Sequence, residues 1–138
     1  MLVVHNVVKE VDTLSIQESG EMYLETILVL SRKNSNVRSV DVANTLDYRK
    51  SSVSVAMKKL RESGYIEMSD EGYITLTDTG RRIAESMFER HNVISNWLIT
   101  LGVDEDVALE DACRVEHVIS NESFEAIKRL VEEQMKAD

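Results

Sequence analysis

The sequence predicts a mainly helical chain with one small β-hairpin, and three observations predict it. Apolar residues recur at helical spacing along most of the chain; two short runs, Tyr65 to Met68 and Tyr73 to Leu76, break that period and read as strands. Proline is absent, and the five glycines, Gly20, Gly64, Gly72, Gly80 and Gly102, fall where elements should begin or end.

From Ser19 to about Arg32, Tyr23, Leu24, Ile27, Leu28 and Leu30 form the stripe of a first helix, with Ser19 as its expected N-cap. Residues 1 to 18 give no firm reading. Ser39 is expected to cap a short helix from Asp41 to Leu46 that buries Val42, Ala43 and Leu46. A polar break, Asp47 to Lys50, leads to a helix from Ser51 to Ser63, with Val53, Ala56, Met57 and Leu60 on one face and Gly64 as its stop. Two short helices joined this tightly read as helix-turn-helix. The strand runs follow, connected by Ser69-Asp70-Glu71-Gly72, and the order helix-turn-helix then hairpin is that of a winged helix. Beyond it, Thr77 to Thr100, Val103 to Ser120 and Asn121 to Lys136 read as three further helices. Ile83, Met87, Ile94 and Leu98 mark the buried stripe of the first of these; Phe124, Ile127, Leu130 and Val131 mark that of the last. The expected organisation is a DNA-binding domain over residues 1–78 and a helical domain over residues 79–138.

An apolar content of 43% in 138 residues can supply the core of one domain or of two small ones. The single cysteine excludes an intramolecular disulfide framework. The apolar start, Met1 to Val8, is broken by His5 and Asn6, and it is too short for a signal sequence. No run approaches the roughly 18 apolar residues of a membrane span. A soluble cytoplasmic protein, with no membrane partner, is the expectation.

With 16 basic against 25 acidic residues the formal charge is −9, which taken alone argues against a nucleic-acid partner. The distribution argues otherwise. Residues 31 to 63 hold eight bases against three acids, a local +5, whereas from residue 103 onward eleven acids face four bases, a local −7. The positive charge lies on the helix-turn-helix. Arg49, Lys50, Lys58 and Lys59 can neutralise phosphates, and Ser51, Ser52 and Ser54 at the start of the second helix can reach a groove. A solvated lysine-rich face is the plain alternative for such a helix, and in winged-helix order double-stranded DNA is the expected partner. Glu67, Asp70 and Glu71 make the hairpin a poor phosphate clasp.

Asp111-Ala112-Cys113-Arg114-Val115-Glu116-His117 sets a thiol, a carboxylate and an imidazole at i, i+3 and i+4, one side of a helix. Sulfur, oxygen and nitrogen donors together are half of a transition-metal site. Taken singly, Cys113 reads as a small hydrophobe, Glu116 as a solvated acid and His117 as a capping or pairing group; His91 reads as a core histidine, and Met22 and Glu25 as core and surface.

Glu21-Met22-Tyr23-Leu24-Glu25-Thr26-Ile27, then helix-turn-helix and wing, then Arg90-His91, then Asp111 to Ser120, resembles the diphtheria-toxin-repressor family of iron- and manganese-dependent transcriptional regulators over roughly residues 19 to 136. The resemblance implies a homodimer on a palindromic operator, with the apolar faces of the last three helices as the dimer surface. It implies that Met22, Cys113, Glu116 and His117 form the primary metal site, and that His91 belongs to a neighbouring one. Where the iron-sensing branch completes that neighbouring site, this chain holds Ser95 and Leu109, and the SH3-like C-terminal domain of that branch is expected to be missing. Glu25 matches the manganese-sensing branch, which carries oxygen donors in place of Met22 and Cys113. Sulfur ligands favour Fe²⁺ over Mn²⁺, so ferrous iron is the first expectation and manganese the second. The implied mechanism is a metal-closed clamp between the DNA-binding head and the helices after the wing. Rival readings are a metal-independent winged-helix regulator with Cys113 as redox sensor, and a metallohydrolase, for which no further catalytic constellation is visible.

Overall fold

A computed structural model of the protein describes the backbone of residues 2–137 and the side chains of residues 18–136. The chain divides into two compact units, residues 1–86 and 87–138.

In the first unit, α1 (Leu2–Lys33) is followed by α2 (Ser39–Leu46), α3 (Lys50–Glu62), β1 (Ile66–Met68) and β2 (Ile74–Leu76), then by the start of α4 (Asp78–Thr100). Leu24, Ile27 and Leu28 of α1 join Val37, Val42, Val53, Met57, Ile66 and Ile74 among the buried residues. Each large apolar side chain so buried contributes roughly 1.5–3 kcal/mol. The helix runs through Ser19, so the expected cap there is corrected: Ser19 is an exposed residue inside α1. The ambiguous leading stretch belongs to α1 from Leu2 on, and its side chains up to residue 17 lie outside those described.

α2 begins one residue before Ser39 could cap it. Arg38 is the capping residue, and its backbone N–H donates to Asp41 Oδ2 at 2.9 Å, satisfying a donor the helix leaves open. Leu46, expected inside, is half-buried. Asp47 closes the helix in the left-handed conformation, φ 56°, with the Tyr48 N–H returned to Ala43 O at 3.0 Å. α3 starts at Lys50 after Arg49 and buries Val53, Met57 and Leu60. Gly64 ends it with φ 83°, and Tyr65 N–H donates to Leu60 O at 3.0 Å.

β1 and β2 pair antiparallel with Ile66 opposite Leu76 and Met68 opposite Ile74. The chain before α2 adds one further rung, Ile74 N–H to Val37 O at 2.7 Å, which ties the wing to the helix-turn-helix. The turn into α4 is sterically tight. A Cβ on buried Gly80 would lie 2.0 Å from the Tyr65 carbonyl oxygen, so only glycine allows this approach.

The second unit holds Met87 onward of α4, with α5 (Glu105–Val115) and α6 (Asn121–Ala137). Ile94, Ala112 and Phe124 form its core, with Val93, Leu98, Val115 and Ile119 packed against them. Gly102, at φ 95°, stops α4, and Asp104 caps α5 by accepting the Asp106 N–H at 3.2 Å. α5 ends at Val115, so the expected continuous helix to Ser120 is corrected: Glu116 to Ile119 form a turn. Ser120 then caps α6, its hydroxyl accepting the Ser123 N–H at 3.1 Å. Leu130, expected on the buried stripe of α6, is 44% exposed, whereas Phe124 and Val131 are buried.

Candidate metal centre and nucleic-acid surface

The second unit gathers four of the expected donors. α4 carries His91, the last turns of α5 carry Cys113, and the turn after it carries Glu116 and His117. Glu116 keeps helical dihedrals, φ −56° and ψ −30°, and its N–H still donates to Ala112 O at 3.0 Å. The carboxylate therefore stays in phase with Ala108 and Ala112, whose small buried side chains leave the room it needs.

Glu116 is fully buried. His91 Nδ1 lies 3.0 Å from its Oε2, and His117 Nε2 lies 3.2 Å from its Oε1. Donor atoms of His91, Cys113 and Glu116 all fall within 4.8 Å of one another, with Cys113 exposed at the rim. Electrostatics make an anion costly at this place: burial removes its hydration, and the carboxyl end of a helix carries partial negative charge. A nitrogen, sulfur and oxygen set closing around a buried acid at a helix C-terminus suits a divalent transition ion, so the residues present fit such a group.

Met22 and Glu25 lie one turn apart on α1 in the first unit. Met22 Sδ is 3.9 Å from the Tyr48 hydroxyl, and the Tyr23 and Tyr48 rings meet edge to face at 6.2 Å. Burial first, and the neighbouring Tyr48 second, push the Tyr23 phenol above its ordinary range. Ser95 is buried, its hydroxyl donating to Asn92 O at 3.2 Å, and Leu109 is exposed; neither offers a strong donor.

On α3 the expected DNA contacts separate by helical phase. Arg49, Lys50, Ser51, Ser52, Ser54, Lys58 and Lys59 are all exposed. Ser51, Val55 and Lys58 follow at i, i+4 and i+7, opposite the buried Val53, Met57 and Leu60. Ser52 and Lys59 lie toward one flank, where they help line a cavity of about 710 Å³ with Ser19, Glu21 and Tyr23 of α1. Two features were not anticipated from the sequence. Val55 is 55% exposed in the middle of this outward row. Arg90 donates from Nη1 to the carbonyls of Glu116 at 3.0 Å and Ile119 at 2.8 Å, and its guanidinium lies over the Phe124 ring. The pattern Arg90-His91 marked the place but not these bonds.

Comparison with known proteins covers both units. Residues 15–74 match the family model described as iron dependent repressor, N-terminal DNA binding domain, and residues 77–136 match iron dependent repressor, metal binding and dimerisation domain. An HTH-type transcriptional regulator of Methanocaldococcus jannaschii is 34% identical over 119 residues, covering 85% of this chain and 95% of that one. The transcriptional regulator MntR of Escherichia coli O157:H7 is 35% identical over 106 residues, covering 77% of this chain and 68% of that one. Among solved structures, a manganese-dependent transcriptional repressor in complex with manganese superposes with a TM-score of 0.76 at 28% identity, covering 82% of this chain. The chain spans about half the length of that structure, 52%. No helix among the described residues is long and apolar enough to cross a membrane. With consecutive family models over both units, and regulators a third identical across most of its length, the chain belongs to the iron-dependent repressor family, the diphtheria-toxin-repressor group of transcriptional regulators.

Proposed function

We propose that the chain is a cytoplasmic, metal-dependent DNA-binding regulator, a repressor that acts as a homodimer on a palindromic operator and not as an enzyme. Residues 1–78 serve as the DNA-binding domain and residues 79–138 as the metal-binding and dimerisation domain. The observation that carries the reading is the buried Glu116 carboxylate held between His91 and His117 with the Cys113 thiol at its rim. His91, Cys113, Glu116 and His117 are the ligands of the second unit, and the resemblance adds Met22 and Glu25 from the first. A bound ion would supply positive charge beside Glu116 and would favour the DNA-binding conformation by the difference in its affinity for the two states. Arg49, Lys50, Lys58 and Lys59 contact phosphates; Ser51, Ser52 and Ser54 approach the groove.

Ferrous iron is the first choice for the ion, since the Cys113 sulfur favours softer metals. Manganese is the second, supported by the manganese-dependent repressor among the relatives. The test selects duplexes from a random pool with the protein, then measures their binding across Fe²⁺, Mn²⁺, Zn²⁺ and Co²⁺ and with chelator. Binding that requires metal and disappears with chelator is the expected result; equal binding without metal sinks the proposal. Because thiol and imidazole must release protons to ligate, metal affinity is expected to fall on acidification toward about pH 6. The exposed Cys113 keeps one rival distinct: a redox sensor would follow peroxide and ignore chelator.

A further inference from the structure

We infer that Arg90 is the positioning residue of the metal centre, an inference that rests on the ligand reading of Glu116 and His91. The last carbonyls of α5 are met by the turn itself, Val115 O accepting the Val118 and Ile119 N–H groups, whereas the carbonyls of Glu116 and Ile119 lie past the end of the helix and take a donor from outside it. Arg90 supplies the partner. One nitrogen, Nη1, bridges the Glu116 and Ile119 carbonyls at 3.0 and 2.8 Å, which bracket the stretch that carries Glu116 and His117.

The guanidinium is itself held against Phe124, 5.2 Å from the ring centroid, and Phe124 belongs to the core of the second unit. A cation on an aromatic face loses little freedom when its second hydrogen bond forms. Arg90 is also the residue before His91, so the side chain that fixes the turn and the one that meets Glu116 leave neighbouring positions on α4. The 3.0 Å approach of His91 to Glu116 therefore depends on where Arg90 holds the turn. A ligand set fixed before the ion arrives spares binding the cost of ordering it.

Two effects of Arg90 on cation affinity have opposite signs. A positive charge near a cation site weakens binding, whereas a fixed turn strengthens it. The bonds end on backbone carbonyls and leave the Glu116 carboxylate oxygens facing the imidazoles. Positioning therefore outweighs repulsion, and loss of Arg90 weakens the site.

The experiment titrates Co²⁺ into the full chain and its R90M, R90Q and R90K variants, following the thiolate-to-cobalt and ligand-field absorption, with thermal unfolding of the metal-free proteins alongside. R90M is expected to lower Co²⁺ affinity about tenfold, in the range typical of groups that orient ligands, and to change the ligand-field bands. R90K, whose ammonium can bridge two carbonyls, recovers most of that loss. A purely structural role lowers the melting temperature but leaves affinity and spectrum of the folded protein at wild-type values, and that outcome overturns the inference. So does tighter Co²⁺ binding by R90M. If R90M does not fold, R90Q is read by the same criterion: at least threefold weaker binding supports the inference, and wild-type affinity overturns it. Failure of the wild type to bind Co²⁺ saturably overturns the metal centre itself, whereas wild-type binding with unaffected variants removes only the role of Arg90.

Discussion

Every charged side chain of α3 stays at the surface, whereas α5 runs into a fully buried carboxylate, Glu116. Among the described residues the buried polar residues are Ser95 and Glu116, and the His117 side chain is 5% exposed beside Glu116; all three lie in the second unit. The first unit thus folds around an apolar core and displays its chemistry outside it, on Ser51, Lys58 and their neighbours. The second has built its chemistry into the core. A surface of this kind can change residue by residue with little effect on stability. A buried acid is different, because what it costs the fold is set by whatever cation or donor faces it.

The strictest demand of the first unit is accordingly steric. G80A forces a Cβ against the Tyr65 carbonyl at a junction where Thr77 also bonds, its hydroxyl donating to Gly64 O at 2.8 Å. The backbone on both sides must move, and a loss of roughly 3 kcal/mol is expected. Urea denaturation measures it; a loss below about 1 kcal/mol would show that this junction yields, contrary to the rigid wing described.

The strictest demand of the second unit is electrostatic, and E116L separates folding from function there. Replacing a buried charge by an apolar group of similar volume is often neutral or stabilising, by about 1–4 kcal/mol. The metal-free variant should therefore melt at or above the wild-type temperature while its affinity for Co²⁺ falls by about 100-fold or more. Glu116 would lose its place as a ligand if E116L bound Co²⁺ like the wild type. A sharp fall in metal-free stability would instead assign the carboxylate a role in holding His91 and His117 in the core.

These two variants also mark what could be read in the sequence. The switch from helical period to two alternating runs, with glycines at 64, 72 and 102, located the wing and most helix ends, since backbone conformation is chosen locally at those points. The end of α5 was not legible. Glu116 to Ile119 continue an acceptable helical pattern, and they leave it in a turn whose carbonyls bond to Arg90, 26 and 29 residues away in sequence. Ser19 misleads for a related reason: a good capping residue is also tolerated at an exposed position inside a helix, and α1 runs on through it. The spacing of Cys113, Glu116 and His117 did disclose a donor set. That the carboxylate would be sealed between two imidazoles depends on Ala108 and Ala112 being small and on His91 arriving from α4, neither of which periodicity records.

Effects on the reading surface should be smaller and should follow helical phase. K58A removes a charge from the outward row, so the selected duplex should bind more weakly, and the slope of log affinity against log salt should fall by about one. K59A, beside the cavity flank, should change that slope less. Salt titrations of both variants provide the comparison. Equal slopes for the two would mean that α3 meets the backbone with both flanks and that the phase separation has no bearing on DNA.

The smallest effect concerns Tyr23, next to Met22 on α1, and it tests whether the first unit has any interior electrostatics at all. Burial is the larger cause of its raised phenol and Tyr48 the smaller. The difference between alkaline absorbance titrations of wild type and Y23F isolates this ring from the other tyrosines, and its midpoint should lie above the ordinary value of about 10. Y48F should move the midpoint down only part of the way, because it leaves the burial. A folded pKa above the unfolded one means that the folded state holds the proton longer, so this contribution is intact below about pH 10 and is lost as pH rises through the folded value. Y23F should therefore resist alkaline unfolding slightly better than the wild type relative to its own stability at neutral pH. A Tyr23 midpoint at or below the ordinary value would mean that water reaches the ring freely, and the first unit would then carry its polar chemistry entirely at the surface.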